Sequence, residues 1–467
     1  MNKKFTLLSL AAVAAITLQA GHYVTSGNGT GYTFTTLAAV AGSGVTQKGD
    51  TVTVSDSVTI ADGDRFSLEA GKVVVLDSGA YLHFLGQADL EVQGDSTVFM
   101  AAEGATPVSI DIAKSGSTTT VRNVRFHEIG LRTLGANLVV DSCYFDYYND
   151  ANNSHAVIKL AADGARLSLT NSTFYRNSYS VVNGAANLLN PVTIENCQLI
   201  ENGTSGRLYP QINITVADTV IIRNNIIKGD STYEKVGGIA VSNLYGLSGN
   251  FFTLIADNIV ENNSYGATTA GSQSAVFSGN TFTNNTRITN AMMGGSGVSI
   301  SSTGKANSIV LTDNKISGNY WGVTVIGHNN VNLGKVSDPS AADYNPGGNE
   351  FSNNGNGGKL YDVALSSNAG DTIWAQGNKW NVSDQTDSAA IENVILHSND
   401  NAILGTVIFM PTAAITNGIA SVDANKENGS VEIFDINGRR MSSDPRSLVP
   451  GIYIFREKGT VTKRLVK

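Results

Sequence analysis

Charged side chains are scarce, at 15% of 467 residues. Helical bundles draw on Glu, Lys, Leu and Ala, so this scarcity argues against a helix-built fold. Long apolar runs are missing too. After residue 20 no stretch approaches the roughly 18–20 apolar residues of a membrane-spanning helix. The six histidines (His22, His83, His127, His155, His328, His397) have no metal-ligand spacing, so no transition-metal site is expected. A phosphate-binding loop, a dinucleotide fingerprint and a serine nucleophile elbow are all absent. No Asp-Asp dipeptide occurs anywhere.

What is plentiful is glycine, 49 residues against 8 prolines, together with Asn, Ser and Thr. That mixture favours many short strands joined by tight turns. The chain opens MNKKFTLLSLAAVAAITLQA. Two lysines, an apolar run over 5–18 and a small residue at Ala20 predict a signal peptide over 1–20, and hence export. Formal net charge is −8. Residues 426–467 hold nine basic and five acidic side chains; allowing for Lys3 and Lys4, residues 21–425 carry −14. An acidic body argues against nucleic acid and anionic membrane surfaces as partners.

One weakly hydrophobic phrase recurs: LTNSTFYRN at 169–177, IENCQLIEN at 194–202, IRNNIIKGD at 222–230, FSGNTFTNN at 277–285, LTDNKISGN at 311–319. Aligned on the last apolar residue, its copies fall at Phe126, Phe145, Phe174, Leu199, Ile227, Val260, Phe282, Ile316, Phe351 and Trp380, on average about 28 residues apart, the mark of a repeat array. Three positions earlier stands a turn former in every copy, from Asn123 to Gly377, suited to positive φ. Two positions earlier stand Cys143, Ser172, Cys197, Asn225, Asn258, Asn280, Asn314, Asn349 and Asn378. A third column, three positions later, holds Asn177, Asn202, Asp230, Asn263, Asn285, Asn319 and Asn354. Each copy therefore reads as strand, sharp bend, strand. Stacking such coils at about 4.8 Å brings like residues together, and the amides from Asn225 to Asn378 can hydrogen-bond as a ladder.

Charges not used in the alignment support the register. Arg122 falls over Asp141, Glu195 over Arg223, Lys228 by Glu261 and Arg176 by Glu201. Cys143 and Cys197 share a column but lie two coils apart, about 9.6 Å, beyond the roughly 7 Å that a disulfide spans, so two separate buried thiols are expected.

The fold expected is all-β: a right-handed parallel β-helix over 21–410, with an N-terminal cap at 21–48 containing a short helix near 36–41. First coils follow over 50–120 and Asn-ladder coils over 121–410, with 391–410 closing the stack. A polar linker spans 411–428. Residues 429–467 alternate apolar and polar with turns at Asn437-Gly438 and Pro450-Gly451, reading as a small antiparallel, β-sandwich-like domain.

The words SGNYWGV (317–323), NNSYGA (262–267) and NPGGNEFSNN (345–354) resemble the repeat text of the pectin-lyase-like right-handed β-helix superfamily. The tail, with DINGRRM (435–441), PGIYI (450–454) and a basic end, resembles the C-terminal sorting domain of type IX secretion cargo. That resemblance implies a surface or secreted location and, as partners, a secretion translocon and a sortase. It marks Gly438, Gly451, Tyr453, Lys463 and Lys467 as the sorting signal.

The superfamily resemblance implies two chemistries to look for: Ca²⁺-assisted lyase action on uronates, and hydrolysis by paired carboxylates. No complete catalytic set emerges. The nearest acids are Asp141 and, in a Tyr-rich loop, FDYYNDANN, that suits a cation or a sugar, Asp146 and Asp150, with His155 nearby. Ca²⁺ is a cofactor only under that enzymatic alternative; otherwise no metal and no cofactor are expected. Tyr179, Tyr265 and Trp321 share a column, as aromatics that stack on sugar rings would. The expected function is an exported, adhesive or glycan-binding β-helix protein. The alternative is a polysaccharide lyase or glycoside hydrolase acting on acidic polysaccharide.

Overall fold

A computed structural model describes residues 22–106, 108–149, 156–302 and 308–413, and in the C-terminal segment 432–435, 441, 448, 451–457 and 460–466. The signal peptide expected at 1–20 and most of the linker expected at 411–428 lie outside the described residues.

Three long sheets wind about a common core. Sheet I has 14 strands, from His22–Val24 to Ile395–Leu396. Sheet II has 14, from Gly31–Tyr32 to Thr406–Ile408, and sheet III has 13, from Val45–Lys48 to Glu350–Ser352. Between the two ends, each coil contributes one strand to each sheet in turn. Gly130–Thr133, Asn137–Asp141 and Tyr144–Asp146 make one such coil, and Ala156–Leu160 returns to sheet I. Apart from the opening hairpin of Val45–Lys48 with Thr51–Val54, neighbouring strands of the three sheets pair in parallel. This is the parallel β-helix expected from the repeat.

The repeat register holds residue by residue. Phe126 pairs with Phe145, Phe145 with Phe174, Phe174 with Leu199, and Leu199 with Ile227. All ten bend residues, Asn123 through Gly377, have φ between 51° and 73°, where Asn, Asp and Gly are the cheapest residues. The ladder amides donate along the stack: Asn225 to Asn258, Asn258 to Asn280 and Asn280 to Asn314, each at 2.9 Å, then Asn314 to Asn349 at 2.8 Å and Asn349 to Asn378 at 2.9 Å. Each Oδ1 also accepts a backbone N–H, as Asn258 does from Asn225 at 3.0 Å. Buried amides are thereby satisfied on both sides.

The third sequence column forms a second ladder. Asn263, Asn285, Asn319 and Asn354 donate in series at 3.1–3.3 Å. At Asp230 the side chain has no amide to give. Gln211, just before the sheet I strand Ile212–Thr215, fills that level: it accepts from Asn202 at 3.0 Å and donates to Asn263 at 3.0 Å.

Both ends are plugged. Phe34 and Leu37 of the helix Phe34–Ala38 are fully buried, and Phe34 meets Phe66 edge-on at 5.0 Å. This helix starts two residues earlier than expected because Thr33 and Thr36 form a reciprocal capping box. Asp64 pins the preceding loop by accepting from the backbone of Gly27, Gly29 and Thr30. At the far end, the closing segment is shorter in strand than a full coil. Ile395–Leu396 and Thr406–Ile408 extend sheets I and II, while Ile391 of the helix Ser388–Glu392 covers the core.

Cys143 and Cys197 are free and buried, as the spacing required. Burial pushes both thiols up to about 12. In the C-terminal segment, Glu432–Asp435, Gly451–Glu457 and Thr460–Val466 form a three-stranded antiparallel sheet. Tyr453 is buried in it; Gly438 and Lys467 lie outside the described residues.

Candidate functional site

Alternation along four consecutive sheet I strands brings polar residues into one column. Leu82 and Phe84 point inward around His83, Ile110 and Ile112 around Asp111, Leu131 and Thr133 around Arg132, Ile158 and Leu160 around Lys159. Pairing aligns His83 with Asp111, Asp111 with Arg132, Arg132 with Lys159, then Lys159 with Asn183 and Asn183 with Asn213.

Asp111, 1% exposed, is the hub. It accepts from Arg132 Nε at 2.7 Å and Nη2 at 2.5 Å, and lies 3.3 Å from His83 Nδ1. Arg132 Nη2 also reaches the Tyr81 hydroxyl at 2.6 Å, and Tyr81 stacks on His83. Burial opposes the charge on Asp111, but hydrogen bonds from His83, Arg132 and Tyr81 outweigh it and hold the carboxyl below its usual range. Burial and the adjacent carboxylate push the Tyr81 hydroxyl up, so it stays protonated. Lys159 is half-buried, and burial lowers its ammonium. No described carboxylate pairs with it. The column carries one carboxylate against two fixed cations and a histidine whose Nε2 is left over, a locally cationic strip on an acidic body.

Sequence reasoning did not find this column. A signal existed: LHF, IDI, LRT and IKL each place one polar residue between inward-facing ones. But Asp111, Arg132 and Lys159 stand 15, 13 and 15 residues before Phe126, Phe145 and Phe174, and His83 lies in the first coils, which lack the phrase. An alignment on the recurrent phrase scatters them.

The acids singled out from sequence fare differently. Asp146 is not in a loop. It ends the strand Tyr144–Asp146 on sheet III, is buried, and is held by Arg125 at 2.8 Å and by His127 Nδ1 at 2.8 Å. Asp141 is taken by Arg122 at 3.0 Å, Thr170 and Asn171. Asp150 and His155 lie outside the described residues. The remaining expected pairs form as well: Arg223–Glu195 at 2.8 Å, Arg176–Glu201 at 2.8 Å and Lys228–Glu261 at 3.6 Å.

Among the aromatics, Tyr179 is buried at 3% exposure and offers no face to a ligand, a correction to the sequence expectation. Its ring is covered because the chain folds Tyr209 against it, 6.3 Å away. Tyr265 and Trp321, two coils apart, line one cavity of about 540 Å³ on the outer face of sheet I. Trp321 is fixed by donating from Nε1 to Ala291 O at 2.8 Å and by contact with Tyr361.

A sequence-family profile described as "Periplasmic copper-binding protein (NosD)" matches residues 110–325. The described residues do not fit a copper ion. Among them no three His, Cys, Asp or Glu side chains converge, and the two thiols are protonated under separate coils. No curated protein sequence matches the chain. In solved structures, the chain is similar to a double mutant of the periplasmic alginate epimerase AlgG, at 11% identity, covering 82% of this chain and 83% of that one with a TM-score of 0.47. It is likewise similar to the unmutated epimerase, at 11% identity over 81% and 83%, with a TM-score of 0.45.

Proposed function

We propose that this is an exported β-helix protein that binds an acidic polysaccharide on the outer face of sheet I, with Arg132 and Lys159 receiving uronate carboxylates. The observation that carries this reading is Lys159, a half-buried cation without a described acid partner, next to Arg132 on a body of net charge −14. A desolvated ammonium is costly unless an anion completes it. The leader and the periplasmic description of the matching family support export. The test is binding of polyuronates and of uncharged glycans by calorimetry. Polyuronate binding that weakens with salt and falls about tenfold in Lys159→Ala is expected. Equal affinity for charged and uncharged glycans would refute it.

A second reading, polysaccharide lyase action, is favoured by one feature. If Nδ1–H of His83 donates to Asp111, Nε2 presents a lone pair as a base, Arg132 and Lys159 offset the charge of the uronate, and protonated Tyr81 supplies an acid. That is the apparatus for removing the proton next to a carboxylate. Paired carboxylates for glycoside hydrolysis are not brought together in this column. Absorbance of unsaturated uronates, with and without Ca²⁺, separates catalysis from binding.

Delivery by type IX secretion, through a translocon and sortase acting on residues 429–467, is part of the same proposal, with adhesion as the role at the surface. Its support is the sequence of the tail. Deleting 429–467 should hold the body in the periplasm, and surface display of the truncated chain would rule this route out.

A further inference from the structure

The same sheet I column continues past the cations as Ala240, Thr268, Ser299 and Thr324. Its character changes along the way. At Thr268–Thr324 the column floors the 540 Å³ cavity, and none of the described residues lining it carries a charge. Hydroxyls form the floor, with Thr324 Oγ1 3.0 Å from Ser296 Oγ. The walls are rings and aliphatic groups: Tyr265, Trp321, Ile326 and Leu396. Met292 and Met293 stand at the rim, 85% and 67% exposed, on the loop that Trp321 holds through Ala291.

We infer that this cavity is a subsite for an uncharged sugar ring. An uncharged pyranose has apolar C–H faces and a hydroxylated edge, and the cavity offers aromatic rings for the first and a hydroxyl row for the second. A uronate would meet no cation here, and an aliphatic chain would leave the floor hydroxyls unmatched. Six strand spacings separate Lys159 from Thr324, about 29 Å along one straight column. Resting on the reading of the Arg132–Lys159 strip as a uronate site, the two together describe a ligand that carries both acidic and neutral units, or a chain long enough to reach both.

Calorimetry and the fluorescence of Trp321, on the full chain, test this with a panel of neutral oligosaccharides and, separately, a polyuronate at low and raised salt. Neutral oligosaccharides should bind with salt-independent affinity, fall about tenfold in Trp321→Ala, and fall measurably in Thr324→Val, which keeps the side-chain volume and removes one floor hydroxyl. Lack of binding by any neutral sugar, wild-type affinity in both variants, displacement of sugar by decanoate, or dimerisation that is lost in Trp321→Ala would each overturn it. Polyuronate binding that fails while neutral sugars bind would instead refute the cationic site and leave this subsite standing.

Discussion

Coils that supply Phe99 through Phe174 and coils from Asn225 onward hold together by different means. In the first group the inward residue of sheet III is aromatic. Phe99, Phe126, Phe145 and Phe174 stack nearly parallel with centroids 4.5–5.4 Å apart. Over the same coils the ladder position holds Thr97, Val124, Cys143 and Ser172, followed by Cys197 in the next coil, and none of these can pass an amide along. In the second group the inward residue begins as Ile227 and Val260, and the ladder position is Asn without interruption from Asn225 to Asn378. Stacked rings or stacked amides each give adjacent coils a repeating contact at sheet spacing. The outer face of sheet I changes between the same halves, ionic from His83 to Lys159 and uncharged from Ala240 to Thr324. A solenoid allows this because each coil answers mainly to its neighbours.

The sharpest way to break the ionic half is Asp111→Ala. It strands Arg132 and His83 over a buried void, and a loss of about 3–5 kcal/mol is expected in denaturant unfolding. A variant as stable as wild type would show that the column adds nothing to the early coils. In the ladder half, Asn280→Ala removes the amide bonds to Asn258 and Asn314 and one to Ile255 O at 2.8 Å. About 3 kcal/mol should be lost, since buried partners are left unmatched. A loss below that of a surface substitution would mean that the ladder only follows the fold.

The second ladder ends on a buried carboxyl. Asn354 donates to Asp362 at 3.2 Å, and burial pushes this carboxyl up to about 7. A raised folded value means that stability is fully present below the unfolded value near 4 and is lost as pH rises through about 7. The loss is at most about 1.4 kcal/mol for each pH step of one in that window. Asp362→Asn, neutral at every pH, should therefore be more stable than wild type at pH 8 and show no advantage at pH 4. Parallel melting curves at both pH values would contradict this. The smallest effect is expected where the two halves meet. Cys197 N already donates to Asn225 Oδ1 at 2.9 Å. Cys197→Asn should lengthen the amide ladder by one coil and raise stability by about 1 kcal/mol; a destabilised variant would show that the thiol is the better filler beside the phenylalanine stack.

Much of this architecture is legible in the amino-acid order. The bend residues, the Asn225–Asn378 ladder, the four cross-coil ion pairs and the two unpaired thiols all follow from one alignment. They sit at fixed offsets from the same inward residue, within a segment too short to vary. The candidate site was not legible in the same way. Asp146, placed in a loop by its Tyr-rich surroundings, ends a strand and is consumed by Arg125 and His127. Tyr179, read as an exposed ring, is covered by Tyr209. Gln211, which bridges the gap at Asp230, belongs to no repeat column at all.

The sequence by itself determined the winding, because period-two alternation and a left-handed bend in each coil allow few other ways to bury these apolar residues. Tertiary structure alone decided which polar side chains face one another on sheet I. Loops of unequal length separate its strands from the recurrent phrase, so His83, Asp111, Arg132 and Lys159 come together only once parallel pairing sets their register.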